Sequence, residues 1–309
     1  MKRDGPKNIV ASVQARLVER SRELGVEHQL TLARFGGERL LYRLSKSQFA
    51  DRFILKGAAL LLLWLGEPIR PTKDVDLLGF GDTSAEALRR VFVELCAIES
   101  LDDGLTFLPD SVDVDSIREG QEYGGMRVRL MAMLGNVRIP LQVDIGTGDA
   151  VVPAADVLDY PGLLDLPRAR LRAYRPETSI AEKTEAMVRL ALANSRMKDF
   201  FDIHRLAETR SFDGETMRLA VQATFMRRGT EIPGARPLAL TSEFAGDAQK
   251  KFQWAAFVRR TRRPELADLS PIIRTLDGFL WPVLQAAGRG EPWSYRWPPG
   301  GPWEGHRQA

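Results

Sequence analysis

The stretch KGAALLLLWLGEPIRPTKDVDLL, residues 56–78, decides the fold. An apolar run ends at Gly66, a polar bend follows, and Asp74 and Asp76 then interrupt a second apolar run, Asp74-Val75-Asp76-Leu77-Leu78. In an extended strand, residues i and i+2 share a face. A strand starting near Asp74 therefore buries Val75 and Leu77 and projects both aspartates together on the other side. Carboxylates so placed repel each other, and one pKa rises unless a cation neutralises the pair. A divalent ion that favours hard oxygen ligands, Mg²⁺ or Mn²⁺, meets that need. Asp-x-Asp pairs also arise by chance at turns and strand ends, so the pair alone leaves both readings open.

The flanks add to it. Lys56-Gly57 follows the strand candidate Phe53-Ile54-Leu55 and opens a short helix, Ala58 to Leu65, whose N-terminus can accept phosphate. A basic, polar bend, Arg70-Pro71-Thr72-Lys73, precedes the acidic pair. Further on, the alternating runs MRVRLMAML (126–134) and VRIPLQVDI (137–145) meet at Gly135-Asn136, the signal of a two-residue hairpin. In the second run Val137, Ile139, Leu141, Val143 and Ile145 share one face, while Arg138, Gln142 and Asp144 share the other. Asp144 is thus a third carboxylate on the wet face of a buried-looking strand. Three such aspartates can hold two metal ions that activate an attacking hydroxyl and steady a leaving pyrophosphate. Pro140 cannot donate to a ladder, which predicts an edge position or a bulge there.

The rest of the chain is mostly helical in pattern. Residues 8–50 repeat apolar positions at helical spacing, first Val10, Val13, Leu17 and Leu24, then Leu30, Leu40, Leu41 and Leu44. Glu86 to Ser100 reads as an amphipathic helix and contains the single cysteine, Cys96, as a small apolar residue. Residues 150–176, with Pro153, Pro161, Pro167 and Pro176, read as an irregular connector. Ser179 and Glu182 fit a capping box that starts a helix reaching about Arg196. Further helices are predicted over 198–208, 214–228, 241–260 and 268–287. The Pro/Gly/Trp-rich tail, 291–309, predicts little regular structure, with Trp293, Tyr295, Trp297 and Trp303 either loosely packed or stacking on bases or a partner. The expected class is α+β: a small mixed sheet followed by a mainly helical C-terminal half. The expected divisions are 1–50, 51–150, 151–290 and 291–309.

Two downstream helices carry further candidates. Lys183 interrupts the apolar stripe Ile180, Met187, Leu190 and Ala191, so its ammonium must snorkel to water or reach a buried anion. Asp199 and Asp202 lie at a helix start, where a carboxylate suits the dipole. Arg227-Arg228 and the run Arg259-Arg260-Thr261-Arg262-Arg263 are basic clusters, read as solvated helix faces or as nucleic-acid contacts. His28, His204 and His306 have no metal-ligand spacing and read as structural.

Composition sets the limits. The 309 residues, 44 % hydrophobic, suffice for one large or two moderate cores, and the net charge of +3 permits a polyanionic partner without demanding one. One cysteine excludes a disulfide framework or a cysteine-built zinc site within the chain. The N-terminal residues lack a signal-peptide pattern, and the most apolar run, AALLLLWL, is far below the ~20 residues that span a bilayer. A cytoplasmic protein with no membrane partner is expected.

The order of these motifs carries a resemblance. FILKGAALLLLWLGEPIRPTKDVDLLG resembles the signature of the DNA polymerase β nucleotidyltransferase superfamily: strand, glycine turn, helix, Asp-x-Asp. In detail it is similar to the AbiEii/AbiGii toxin family, in which a Lys-Gly turn, an Arg-x-Thr-x-Asp-x-Asp stretch and two helical motifs recur. Those helical motifs match AEKTEAMV (181–188) and SRMKDFFDIHRLAE (195–208), and the similarity runs over residues 30–260. Ala58 stands where the superfamily turn has Ser or a second Gly, which leaves backbone N–H groups to meet a phosphate. The resemblance implies a polymerase β-like core and a metal-dependent nucleotidyltransferase. Asp74, Asp76 and Asp144 would bind Mg²⁺ or Mn²⁺, and Lys56, Gly57, Ala58, Arg70, Thr72 and Lys183 would hold an NTP. Asp74, Asp76, Lys183 and Asp199 would be catalytic, Asp199 as a base or orienting group. Asp202 would support it, paired with Arg196 or Arg205. The implied acceptor is the 3′ end of a tRNA, in a toxin–antitoxin or phage-defence pair with a cognate antitoxin. A small-molecule nucleotidyltransferase of the aminoglycoside-modifying sort, or a non-catalytic RNA- or protein-binding module, are the alternatives.

Overall fold

Apolar residues three and four apart build the first helices, α1 (Ile9–Leu24) and α2 (His28–Lys46). Asn8 caps α1 by accepting from the Ala11 N–H, and Gly25 ends it in the left-handed conformation. The computed structural model describes residues 8–66, 74–100, 103–117, 124–261 and 263–305. The chain divides into two units. The first takes Met1–Leu63, Pro71–Gly148 and Asp156–Ala173, and the second takes Trp64–Arg70, Asp149–Ala155 and Tyr174–Ala309.

In the first unit β1 (Phe53–Lys56) leads through the Gly57 turn into α3 (Ala59–Leu65), whose last two residues count with the second unit, and β2 (Val75–Gly79) and α4 (Ala85–Ala97) follow. Then come β3 (Leu105–Ile117), β4 (Gly125–Leu134), β5 (Val137–Thr147), β6 (Asp156–Asp159) and β7 (Arg170–Ala173). They form one seven-stranded sheet in the order β3-β4-β5-β2-β1-β7-β6. It is mixed: β5/β2 and β1/β7 are parallel and the other pairs antiparallel.

The sheet is larger than its sequence signals. Proline-rich 150–176 was expected to be irregular, yet it supplies β6 and β7, with Pro161 and Pro167 confined to the segment between them. β3 gave no strand signal because its LTFLPDSVDVDSI mixes a proline with three aspartates. On an edge strand those residues are tolerated, and the register shifts between Leu108 and Asp113. The Gly135-Asn136 hairpin forms as expected, with Leu134 opposite Val137. Pro140 lies where β5 pairs only with β4, because the ladder to β2 begins at Val143. α2 lies close on this sheet. A methyl on Gly36 would meet Leu141 Cδ2 at 2.9 Å and Ile139 Cγ2 at 3.2 Å, so glycine sets the approach.

The second unit contains α5 (Pro176–Leu190), α6 (Met197–Thr209), β8 (Phe212–Asp213), α7 (Gly214–Arg227), α8 (Ser242–Gly246), α9 (Ala248–Thr261) and α10 (Leu269–Arg289), then β9 (Tyr295–Trp297) and β10 (Glu304–Gly305). The capping box at Ser179 is not used. Pro176 opens α5 one turn earlier, its fixed φ suiting the first turn, and Ser179 is buried inside the helix. α5 also stops at Leu190 rather than Arg196, where Ala191 takes a positive φ of 43°. The helix expected over 241–260 breaks at Asp247, whose backbone is extended and whose carboxylate accepts the Lys250 N–H at 2.8 Å to start α9.

Within the described part of the tail, 291–305, the aromatic residues are packed rather than loose. β9 joins β8 and β10 in a three-stranded sheet. Trp297 and Trp303 pack on Phe279, and their indole N–H groups donate to the carbonyls of Ala207 and Phe279 at 2.8 Å each. Buried aromatic area holds these few residues where backbone propensity alone would not.

Candidate functional site

Strand register aligns four charged residues in one row. Lys56 of β1 lies opposite Asp76 of β2, Asp76 opposite Asp144 of β5, and Asp144 opposite Arg127 of β4. Residues directly opposite share a face of the sheet. The alternate residues Leu55, Val75, Leu77, Val128, Val143 and Ile145 are buried, so the row occupies the more accessible face. Asp74, exposed, lies just ahead of β2. The signs along the row run plus, minus, minus, plus.

The Lys-Gly turn belongs to the same row. Gly57 takes a left-handed φ of +72°, and a Cβ added there would strike the Asp76 carboxylate. The turn is therefore seated against Asp76, which ties two sequence motifs into one local structure. α3 has only seven residues, so its dipole by itself is a slight attraction for phosphate. Gly57 and Ala58 carbonyls accept the Leu60 and Leu61 N–H groups at 3.2 and 3.1 Å and so start that helix. Arg70 and Thr72 lie outside the described residues.

Asp144 is already committed. Arg127 Nε and Nη2 donate to its two carboxylate oxygens at 2.8 Å each, and Gln142 Nε2 donates to Oδ1 at 3.2 Å. Among the described residues, no three His, Cys, Asp or Glu side chains converge on one point as a metal site, as the side chains stand. The donor set nevertheless fits a hard divalent ion in kind. It is all carboxylate, and the register sets Asp76 and Asp144 side by side. Sequence reasoning passed over Arg127, although the signal was present. A two-residue hairpin fixes the register, and Arg127 and Asp144 lie seven residues from the strand ends Leu134 and Val137.

The second unit holds a separate cluster. Lys183 of α5 bonds Asp199 Oδ1 at 2.5 Å and Asp202 Oδ2 at 2.8 Å, both from α6. The aspartates are buried and the lysine side chain is 16 % exposed, so its stem does not snorkel but reaches buried anions. Arg196 Nε meets Asp199 Oδ2 at 3.1 Å. Asp202, expected beside Arg196 or Arg205, bonds Lys183, and Arg196 bonds Asp199. Carboxylates one helical turn apart share a face of α6, which lets one ammonium serve both.

Other candidates settle elsewhere. Arg228 is no solvated residue. Its guanidinium bonds Asp149 and Glu185 at 2.9 Å each and lies 3.5 Å from Glu182. Although burial opposes its charge, these carboxylates hold it above the ordinary arginine value. Burial lowers the pKa of His204 and pushes the Cys96 thiol up to about 11, so both stay neutral near pH 7. His28 Nδ1 meets Ser21 Oγ at 2.9 Å, and His306 and Arg262 lie outside the described residues.

Comparison with known proteins agrees with the motif order. A family model described as "Nucleotidyl transferase AbiEii toxin, Type IV TA system" matches residues 39–281. No curated protein matches the chain. Solved structures similar to it include MenT4, a nucleotidyltransferase toxin from Mycobacterium tuberculosis H37Rv, at 19 % identity with 90 % of this chain and 98 % of that one covered and a TM-score of 0.49. JHP933 from Helicobacter pylori is 17 % identical, with 85 % and 93 % covered and a TM-score of 0.43. An antigenic nucleotidyltransferase-like protein from Paracoccidioides brasiliensis is 15 % identical, with 76 % and 91 % covered and a TM-score of 0.34.

Proposed function

From a chain that belongs to the AbiEii family of nucleotidyltransferase toxins, we propose an enzyme that moves the nucleoside monophosphate of an NTP onto the 3′ hydroxyl of an RNA, a tRNA in the first instance. The acceptor oxygen attacks the α-phosphorus, the bond from that phosphorus to the bridging oxygen breaks, and pyrophosphate leaves. The observation that carries the reading is the row Lys56, Asp76, Asp144 and Arg127, with Gly57 seated on Asp76.

Asp74 and Asp76 would hold Mg²⁺, with Asp144 as a third ligand. The ion, when bound, neutralises charge on the phosphates and lowers the pKa of the attacking hydroxyl. Lys56 and the backbone of Gly57-Ala58 would meet the triphosphate oxygens, together with Arg70 and Thr72. A methyl-free turn allows backbone to come close to a phosphate. Lys183 is assigned to the nucleotide phosphates or the leaving pyrophosphate. Asp199 holds a cation on each oxygen, Lys183 and Arg196, so it orients Lys183 more readily than it takes a proton. A type IV family implies a cognate antitoxin.

The test incubates the protein with each α-³²P-labelled NTP and total RNA. Wild type should label RNA and Asp76→Ala should not, with an unchanged circular dichroism spectrum. Labelling by Asp76→Ala at the wild-type rate would sink the metal assignment. Labelling of a small molecule while RNA stays blank would replace the RNA acceptor by a metabolite or drug.

A further inference from the structure

Arg127 lies outside every motif that carries the family resemblance, yet it makes a two-point ion pair with Asp144. Both of its contacts to Asp144 are 2.8 Å and each uses a different carboxylate oxygen, a forked geometry that only a guanidinium supplies. Gln142 adds its bond to Oδ1. The Arg127 and Asp144 side chains are 31 % and 22 % exposed, so water neither fully screens the pair nor is excluded from it. The two Arg127 bonds and the Gln142 bond take most of the acceptor capacity of the Asp144 carboxylate, and the guanidinium charge beside it repels a divalent ion. Arg127 and the ion therefore compete for Asp144.

We propose that Arg127 is a resident counter-cation that withholds Asp144 from the divalent ion in the nucleotide-free protein. The ion then rests on Asp74 and Asp76 alone. One or two carboxylates make a weak Mg²⁺ site, completed by substrate phosphates. Metal loading is thereby coupled to nucleotide arrival, and the empty enzyme is kept from holding a fully ligated ion. Arg127 acts here as a positioning residue, through Asp144. The proposal rests on the reading of Asp74 and Asp76 as metal ligands.

The experiment measures Mn²⁺ affinity of the full, nucleotide-free chain by the electron paramagnetic resonance signal of free Mn²⁺. Arg127→Gln should bind Mn²⁺ more tightly than wild type by about tenfold, because a competing positive charge is removed from Asp144; a supporting outer-shell partner would give the opposite sign, weaker binding on its removal. Arg129→Gln is the charge control. Arg129 lies two residues along β4 and bonds Asp113 and Asp115, at 3.2 and 2.6 Å. Removing it deletes the same charge without touching Asp144, and it should leave the affinity near the wild-type value. Unchanged or weaker Mn²⁺ binding in Arg127→Gln, or equal tightening in both variants, would overturn the counter-cation role. Should Arg127→Gln fail to fold, Arg127→Lys keeps the charge but not the fork, and partial tightening is then expected against none. Asp76→Ala separates the two readings. If it binds Mn²⁺ as wild type does, the metal site itself is misassigned. If it loses Mn²⁺ while Arg127→Gln changes nothing, only the role of Arg127 fails.

Discussion

Gly57 shows how much one missing carbon can settle. Its φ of +72° is open to glycine at little cost, and its α-hydrogen faces the Asp76 carboxylate that a methyl would hit. Gly57→Ala should store about 1–3 kcal/mol of local strain while displacing Asp76. The expected outcome is a small drop in melting temperature and a loss of nucleotide transfer of about a hundredfold, since small misplacements at a reacting centre cost that much. Equal transfer by the variant would separate the turn from the chemistry. Lys183 is a second single-residue test. Lys183→Met leaves Asp202, whose side chain is fully buried, without its ammonium, and should destabilise the protein by about 3–5 kcal/mol in urea titration. Lys183→Met with Asp202→Asn should recover part of that loss. At this scale the sequence was informative about identity and poor about partners. Lys183 on an apolar stripe required an anion or water, and only packing of α5 beside α6 decides which.

At the scale of elements, α2 combines apolar contact with a buried ionic network. Asp103 accepts from Arg39 Nε and Arg43 Nη1, both at 2.8 Å, and from the Leu105 N–H at 3.0 Å. Burial pushes its carboxyl up, but the Arg43 and Arg39 guanidinium groups and that N–H outweigh it and hold the pKa below the ordinary value. Glu38, five residues N-terminal to Arg43 on the same helix, goes the other way. Burial raises it to about 7, against the pull of Arg34 and the Leu163 N–H. A carboxyl whose folded pKa lies above its unfolded value binds protons more strongly when folded. Stability therefore falls as pH rises from about 4.5 to about 7, by up to about 3 kcal/mol from this group. Glu38→Gln should flatten that slope in urea melts at pH 4.5, 5.5 and 7, and an unchanged slope would place its source elsewhere. The hairpin of β4 and β5 was legible because alternation and a two-residue turn are local. β3, β6 and β7 were not, because edge position and distant pairing, rather than their own propensities, make them strands.

At the scale of the molecule, the family and the charge pattern bear on the acceptor. α9 contains no acidic residue and exposes Lys251, Arg259 and Arg260, a surface suited to a polyanion. Replacing Arg259 and Arg260 by Ala should weaken RNA binding and make its dependence on salt concentration shallower, about one unit of slope per lost phosphate contact. Unchanged affinity across 50–200 mM salt, the range in which such contacts show, would remove α9 from the interface. The amino-acid sequence by itself determined the class of chemistry, because an ordered set of short motifs names a family and alternation alone places Asp76 and Asp144 on the wetter strand face. It also determined the hairpin, and with it the register that pairs Arg127 with Asp144. Only the tertiary structure decided that Lys56, Asp76, Asp144 and Arg127 form one row, that Arg228 is a part-buried hub of carboxylates, and that the Trp-rich tail supplies strands and a buried Trp297. Those outcomes depend on which distant segments pair and on which side chains lose water, and no local window of sequence contains either.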